Sequence, residues 1–173
     1  MGDERRAVRR TGLGMMLLFW GLFIGLGTWW FQGFLAQRWN PNAHLVEAVA
    51  GEEIVLARNA AGHFVATGRL NGVPVTFLLD TGATYVAVSA PLATRLGLEP
   101  EASAWFRTAN GRTRGYLTTL DEVSLGGVTA RQVRGSISPG LEGEVALLGM
   151  SFLERFDIEI RDARLVLRPA EQP

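Results

Sequence analysis

The sequence predicts an all-β domain, a barrel or a sandwich with one or two short helices, carried behind one N-terminal transmembrane helix. Three observations carry this. No charged residue occurs between Arg10 and Arg38. From Glu52 onward, apolar residues fall in short runs separated by turn signals at roughly 8–12-residue intervals, the rhythm of sandwiches and barrels. Two Asn-Gly pairs, Asn71-Gly72 and Asn110-Gly111, stand between such runs, and Asn-Gly favours a type I′ hairpin turn.

The N-terminal element comes first. Residues 1–12 form a basic tail with Arg5, Arg6, Arg9 and Arg10. Residues 13–35 are almost wholly apolar, and about 20 such residues cross the ~30 Å hydrocarbon core of a bilayer. Trp29 and Trp30 lie toward the far end, where interfacial aromatic residues sit, and only Arg38 closely follows. The excess of Arg before the span places the N-terminus in the cytoplasm and the rest of the chain outside. A cleaved signal peptide fits less well, because its apolar region is shorter, roughly 7–15 residues, and ends in a small-x-small site. Residues 36–50, with Asn40-Pro41-Asn42, read as a linker.

The strands follow in order. Glu53–Arg58 and His63–Leu70 are the first two runs, and Val73–Leu79 returns from the Asn71-Gly72 turn. Tyr85–Val88 is a short strand. Ser89 then caps a short helix with Pro91 in its first turn and Gly97 as its stop. Trp105–Ala109 and Arg112–Thr119 flank the second Asn-Gly, and Gly126-Gly127 separates two further strands. Val145–Leu148 is a short apolar run, and Ser151-x-x-Glu154 has the form of a capping box for another short helix. Asp157–Arg161 and Arg164–Arg168 make a closing hairpin. Leu70-Asn71-Gly72-Val73 and Leu125-Gly126-Gly127-Val128 resemble each other, a hint of duplicated architecture.

Composition excludes several chemistries. The 173 residues carry 17 basic and 17 acidic side chains; every basic residue is Arg, and there is no Cys. Disulfides and thiolate metal sites are therefore excluded, and His44 and His63 alone make a poor metal cluster. Zero net charge gives no electrostatic footprint for nucleic acid. No Gly-x-Ser-x-Gly elbow supports a serine hydrolase.

What remains is Asp80-Thr81-Gly82, at the end of the apolar run Val75–Leu79. A carboxylate after a buried strand is costly without partners or a proton, and Gly82 permits a sharp turn and close approach by another chain. Such a loop can hold a carboxylate at the floor of a cleft; an ordinary strand-end turn has the same three residues. Context favours the first reading, because a second apolar-apolar-Gly element, Leu147-Leu148-Gly149, precedes the second short helix.

With Asn71–Val75, Phe77–Thr84, Thr108–Gly111, Leu147–Leu153 and Arg164–Arg168 in this order, the sequence resembles the retropepsin-like aspartic proteases, in their bacterial single-pass membrane-anchored branch. The resemblance implies a closed β-barrel of the acid protease fold over residues 51–170. It implies Asp80 as the catalytic aspartate, Thr81 bracing the loop against its counterpart and Gly82 facing the substrate. The hairpin around Thr108, Ala109, Asn110 and Gly111 would be a flap that, with Ala83, binds the peptide. Where viral members commonly carry Arg after the apolar-apolar-Gly element, this sequence has Met150, so their dimer contacts do not carry over.

Aspartic proteolysis uses two carboxylates sharing one proton and needs no metal or other cofactor. This chain has one Asp-Thr-Gly; Asp121, Asp157 and Asp162 read as solvated or turn residues. The second aspartate must then come from a second copy, in an isologous homodimer. The expectation is a membrane-anchored endopeptidase of peptide or protein substrates, held in a bacterial inner membrane by residues 13–35 with its protease domain periplasmic. The alternative is a non-catalytic peptide-binding or scaffold domain on the same fold. Arg112 and Arg114 on the flap read as a solvated edge, with selection of acidic substrates as the competing role.

Overall fold

In a computed structural model, residues 2–47, 53–108 and 111–169 are described, in two compact units, Met1–Arg38 and Trp39–Pro173. The first is a helix, α1 (Gly2–Trp39). Its stretch Gly12–Trp39 is 28 residues long, reaches a mean hydropathy of 1.6 over 18 residues, and is long and apolar enough to cross a membrane. Leu17, Phe23, Ile24 and Trp29 on it are exposed. The hydroxyl of Thr28 donates to the Ile24 carbonyl at 2.7 Å, so the one hydroxyl of the apolar stretch is satisfied within the helix. Helix α1 continues past Leu35 to Trp39 and stops at Asn40, the residue that Pro41 biases away from helical geometry.

The expected linker is mostly structured. Residues 36–39 belong to α1, and Ala43–Glu47 form a turn of 3₁₀ helix with Leu45 buried. Between them the Asn42 amide is 2 % exposed. It donates to the carbonyls of Ala57 (2.9 Å) and Val65 (2.7 Å) and accepts from Ala57 N–H (2.8 Å). Nothing in the local sequence shows this, because the partners come from strands 15 and 23 residues away. Residues 48–50 of that stretch lie outside the described residues.

Among the described residues, the second unit contains ten strands: β1 (Ile54–Ala57), β2 (Val65–Leu70), β3 (Val73–Leu79), β4 (Val86–Ser89), β5 (Ala102–Thr108), β6 (Gly111–Leu125), β7 (Val128–Ser138), β8 (Val145–Leu148), β9 (Phe156–Arg161) and β10 (Arg164–Pro169). Two short α-helices, α2 (Ala90–Arg95) and α3 (Met150–Leu153), accompany these strands and the 3₁₀ turn. Seven strands pair in the order β2-β3-β8-β4-β7-β6-β5, and a further β2–β6 ladder joins the run into a ring from which β5 projects. Strands β1, β10 and β9 form a separate three-stranded sheet. Phe77, Leu120, Leu125, Leu148, Phe152 and Leu167, all fully buried, lie in one core.

The repeated turn sequence corresponds to repeated topology. Hairpin β2–β3 receives β8 in parallel on β3, and hairpin β6–β7 receives β4 in parallel on β7. At the first turn Asn71 (φ 48°) and Gly72 (φ 79°) are both left-handed, as a type I′ turn requires. The closing hairpin forms as expected between Arg161 and Arg164 and turns through Asp162 (φ 49°) and Ala163 (φ 60°) without glycine. Ser89 caps α2 as expected, accepting from Leu92 N–H at 3.2 Å.

The capping box on α3 does not form. Gly149 is the N-cap, without a side-chain bond. Ser151 instead donates from Oγ to the Arg134 carbonyl (2.7 Å) and accepts from Val86 N–H (3.1 Å). The two strands on either side claim the hydroxyl before the helix can use it.

Candidate active site

Strand β3 delivers Asp80 to the barrel end. It runs parallel to β8, with Leu79 beside Leu148, and the ladder continues one residue further as Asp80 N–H donates to the Leu148 carbonyl at 3.2 Å. The chain then turns. Ala83 N–H donates to the Asp80 carbonyl (3.1 Å), and Gly82 N–H donates to Asp80 Oδ1 (2.9 Å). The second bond fixes the carboxylate from within its own loop.

The loop is tied down from below by the start of α3. Met150 N–H donates to the Ala83 carbonyl (2.8 Å) and Ser151 N–H to the Thr84 carbonyl (2.9 Å). Helix N-termini carry unpaired N–H groups, and here two of them hold the loop. Gly149 makes the contact possible. A Cβ there would stand 2.7 Å from the Ala83 carbonyl oxygen and closer still to that of Tyr85. The apolar-apolar-Gly element thus packs directly beneath the Asp80 loop.

Above the loop the surface is open. Asp80 and Ala83 are half-buried, while Thr81 and Gly82 are exposed. Asp80 has no ion-pair partner among the described residues. The same residues contain no cluster of three or more His, Asp or Glu side chains able to hold a metal ion.

The flap residues are reached in part. Thr108 ends β5 and pairs with Gly111, which opens β6 at φ 109°. Ala109 and Asn110 lie outside the described residues. The hairpin stands near the Asp80 loop, because the rings of Phe106 and Tyr85 meet edge to face, with centroids 6.3 Å apart. Sequence reasoning missed the roles of Ser151 and Tyr85. Ser151 fits a local capping pattern that hides its tertiary bonds, and Tyr85 reads as an ordinary strand residue.

A barrel end presenting one Asp-Thr-Gly loop, backed by an apolar-apolar-Gly element and faced by a hairpin, defines a retropepsin-like protein. The chain belongs to the family described as "gag-polyprotein putative aspartyl protease", whose model matches residues 66–155. The crystal structure of a retropepsin-like aspartic protease from Rickettsia conorii is 34% identical, covers 67% of this chain and 89% of its own, and superposes with a TM-score of 0.57. Among curated sequences, an uncharacterized protein in the cobV 5′ region of Sinorhizobium sp is 31% identical over 128 residues, which is 72% of this chain and 55% of that protein. The uncharacterized protein RP867 of Rickettsia prowazekii (strain Madrid E) is 35% identical over 107 residues, 60% of this chain and 46% of that protein. The chain thus spans about half the length of the curated relatives it matches.

Proposed function

We propose that this chain is a membrane-anchored aspartic endopeptidase, active as a homodimer, with Asp80 from each of two copies forming the catalytic pair. One observation carries the reading. The Asp80 loop is fixed by five hydrogen bonds, from Gly82 and Ala83 within it and with Leu148, Met150 and Ser151 beneath it, yet its outward surface is uncovered. A rigid carboxylate on an open surface suits a site completed by a second copy about a two-fold axis. The R. conorii relative, named a retropepsin-like aspartic protease, supports the assignment.

In the reaction, the ionised carboxylate takes a proton from a water held between the pair, and the water oxygen bonds to the scissile carbonyl carbon. The protonated carboxylate gives its proton to the carbonyl oxygen, producing a tetrahedral diol. On collapse one diol hydroxyl gives its proton to the ionised carboxylate, the C–N bond breaks, and the nitrogen takes the proton of the other carboxylate, so the pair again shares one proton. Thr81 and Gly82 would meet the partner's loop and the substrate. Ala83 and the Thr108–Gly111 hairpin would hold the peptide extended, as an added strand. Residues 13–35 would hold the chain in a bacterial inner membrane, with the basic tail cytoplasmic and the barrel periplasmic.

The test is digestion of a peptide library by the purified full chain, wild type against Asp80→Asn. Cleavage by the wild type and none by the variant supports the reading. Cleavage that survives the substitution overturns it, and binding of peptides without turnover by both would indicate a peptide-binding domain instead.

A further inference from the structure

The β5–β6 hairpin has two chemically different faces. Residues alternate between faces along a strand, and the register sets Ser103, Trp105 and Arg107 beside Tyr116, Arg114 and Arg112 on one of them. The opposite face carries Phe106, half-buried against Tyr85 and so turned toward the Asp80 loop. The arginines therefore point away from that loop and are not placed to select acidic substrates there.

This outer face is built at a cost. Arg107 and Arg112 are direct cross-strand partners, and like charges so placed destabilise a sheet. None of the three arginines has an ion-pair partner among the described residues. Between Ala102 and Leu117 the sequence has no acid; Glu101 and Asp121 are the nearest on either side. Arg112 lies over the Trp105 ring at 5.5 Å, and Arg114 donates to Ser103 Oγ at 3.3 Å, which holds two guanidinium groups in place. Trp105 itself is 64% exposed and Tyr116 41%.

We propose that this face binds anionic phospholipid headgroups. Guanidinium groups match phosphate oxygens in charge and geometry, and an exposed indole among them is suited to the headgroup region. Chain length supports the occupant. Helix α1 is long enough to span a bilayer and ends at Trp39, while Asn42 is already hydrogen-bonded to Ala57 and Val65. Three residues reach at most about 10 Å, so an inserted α1 keeps the barrel close to a lipid surface. The inference rests on α1 as an anchor and not on the Asp80 chemistry.

The test uses the full chain in nanodiscs of phosphatidylcholine alone or with phosphatidylglycerol. Co-elution with the discs reports the span separately. Phenylglyoxal modification, read by mass spectrometry, then reports each arginine. Several-fold slower modification of Arg107, Arg112 and Arg114 in the anionic discs, reversed by salt, is expected, with Arg131, 81% exposed, unchanged. Arg112→Gln should weaken the protection of Arg107 and Arg114 by up to about fivefold, one surface arginine's share. Equal modification in both discs overturns the proposal. So does equal protection of Arg131, or protection given by soluble polyglutamate in neutral discs and not by anionic lipid.

Discussion

A methyl group on Gly149 would press on the carbonyl oxygens of Tyr85 and Ala83, both of them backbone atoms of the loop that starts at Asp80. Those atoms cannot rotate aside as a side chain would, so the loop or β8 must move. Gly149→Ala is expected to destabilise the fold by about 1–3 kcal/mol, as overpacking does, and to reduce peptide cleavage further than the stability loss explains. Urea midpoints and turnover of the folded fraction check this. Ser151 makes the opposite argument, because its hydroxyl spans Arg134 and Val86. Ser151→Ala leaves a buried N–H and a carbonyl short of a partner and should cost about 1–3 kcal/mol by the same measurement. Asp80→Asn removes charge from a half-buried group whose Oδ1 accepts one N–H. The amide oxygen can keep that bond, so its unfolding midpoint should stay near wild type while cleavage is lost.

The β2–β3 hairpin shows how turns are built from local chemistry plus one distant contact. Asn71 tolerates φ 48° because its side chain is short and polar, and it also accepts from Glu122 N–H at 3.1 Å, tying the turn to β6. Asn71→Ala loses both advantages and should cost about 1–2 kcal/mol, seen as a lower thermal midpoint with cleavage at low temperature retained. Elements with strong local signals are legible in sequence: β3 follows an Asn-Gly, and α2 follows Ser89 and carries Pro91 in its first turn. The α3 capping box misleads because Ser151 is drawn into tertiary bonds, and Gly149 is required for packing rather than for capping. Residues 40–47 read as linker because Asn42 looks like any loop Asn until Ala57 and Val65 stand around it.

At the scale of the whole molecule, one exposed Asp-Thr-Gly loop per chain gives the reading a direct test. If two copies share the site, activity per chain rises with concentration. An equal mixture of wild type and Asp80→Asn chains then leaves only about a quarter of dimers with two carboxylates when exchange is free. Linear loss of activity in that mixture would show that single chains act alone; sedimentation of the same samples fixes the assembly. The sequence by itself determined the apolar N-terminal helix, the strand rhythm and the Asn71-Gly72 turn, because each rests on local charge, periodicity or dihedral preference, and the order of its motifs pointed to Asp80. Only the tertiary structure decided the ring made by the β2–β6 ladder, the docking of Asn42, the seat of the Asp80 loop on Gly149, and the face on which the flap arginines stand. Those depend on which distant strands meet and in what register, and a register shift of one residue moves every side chain to the other face.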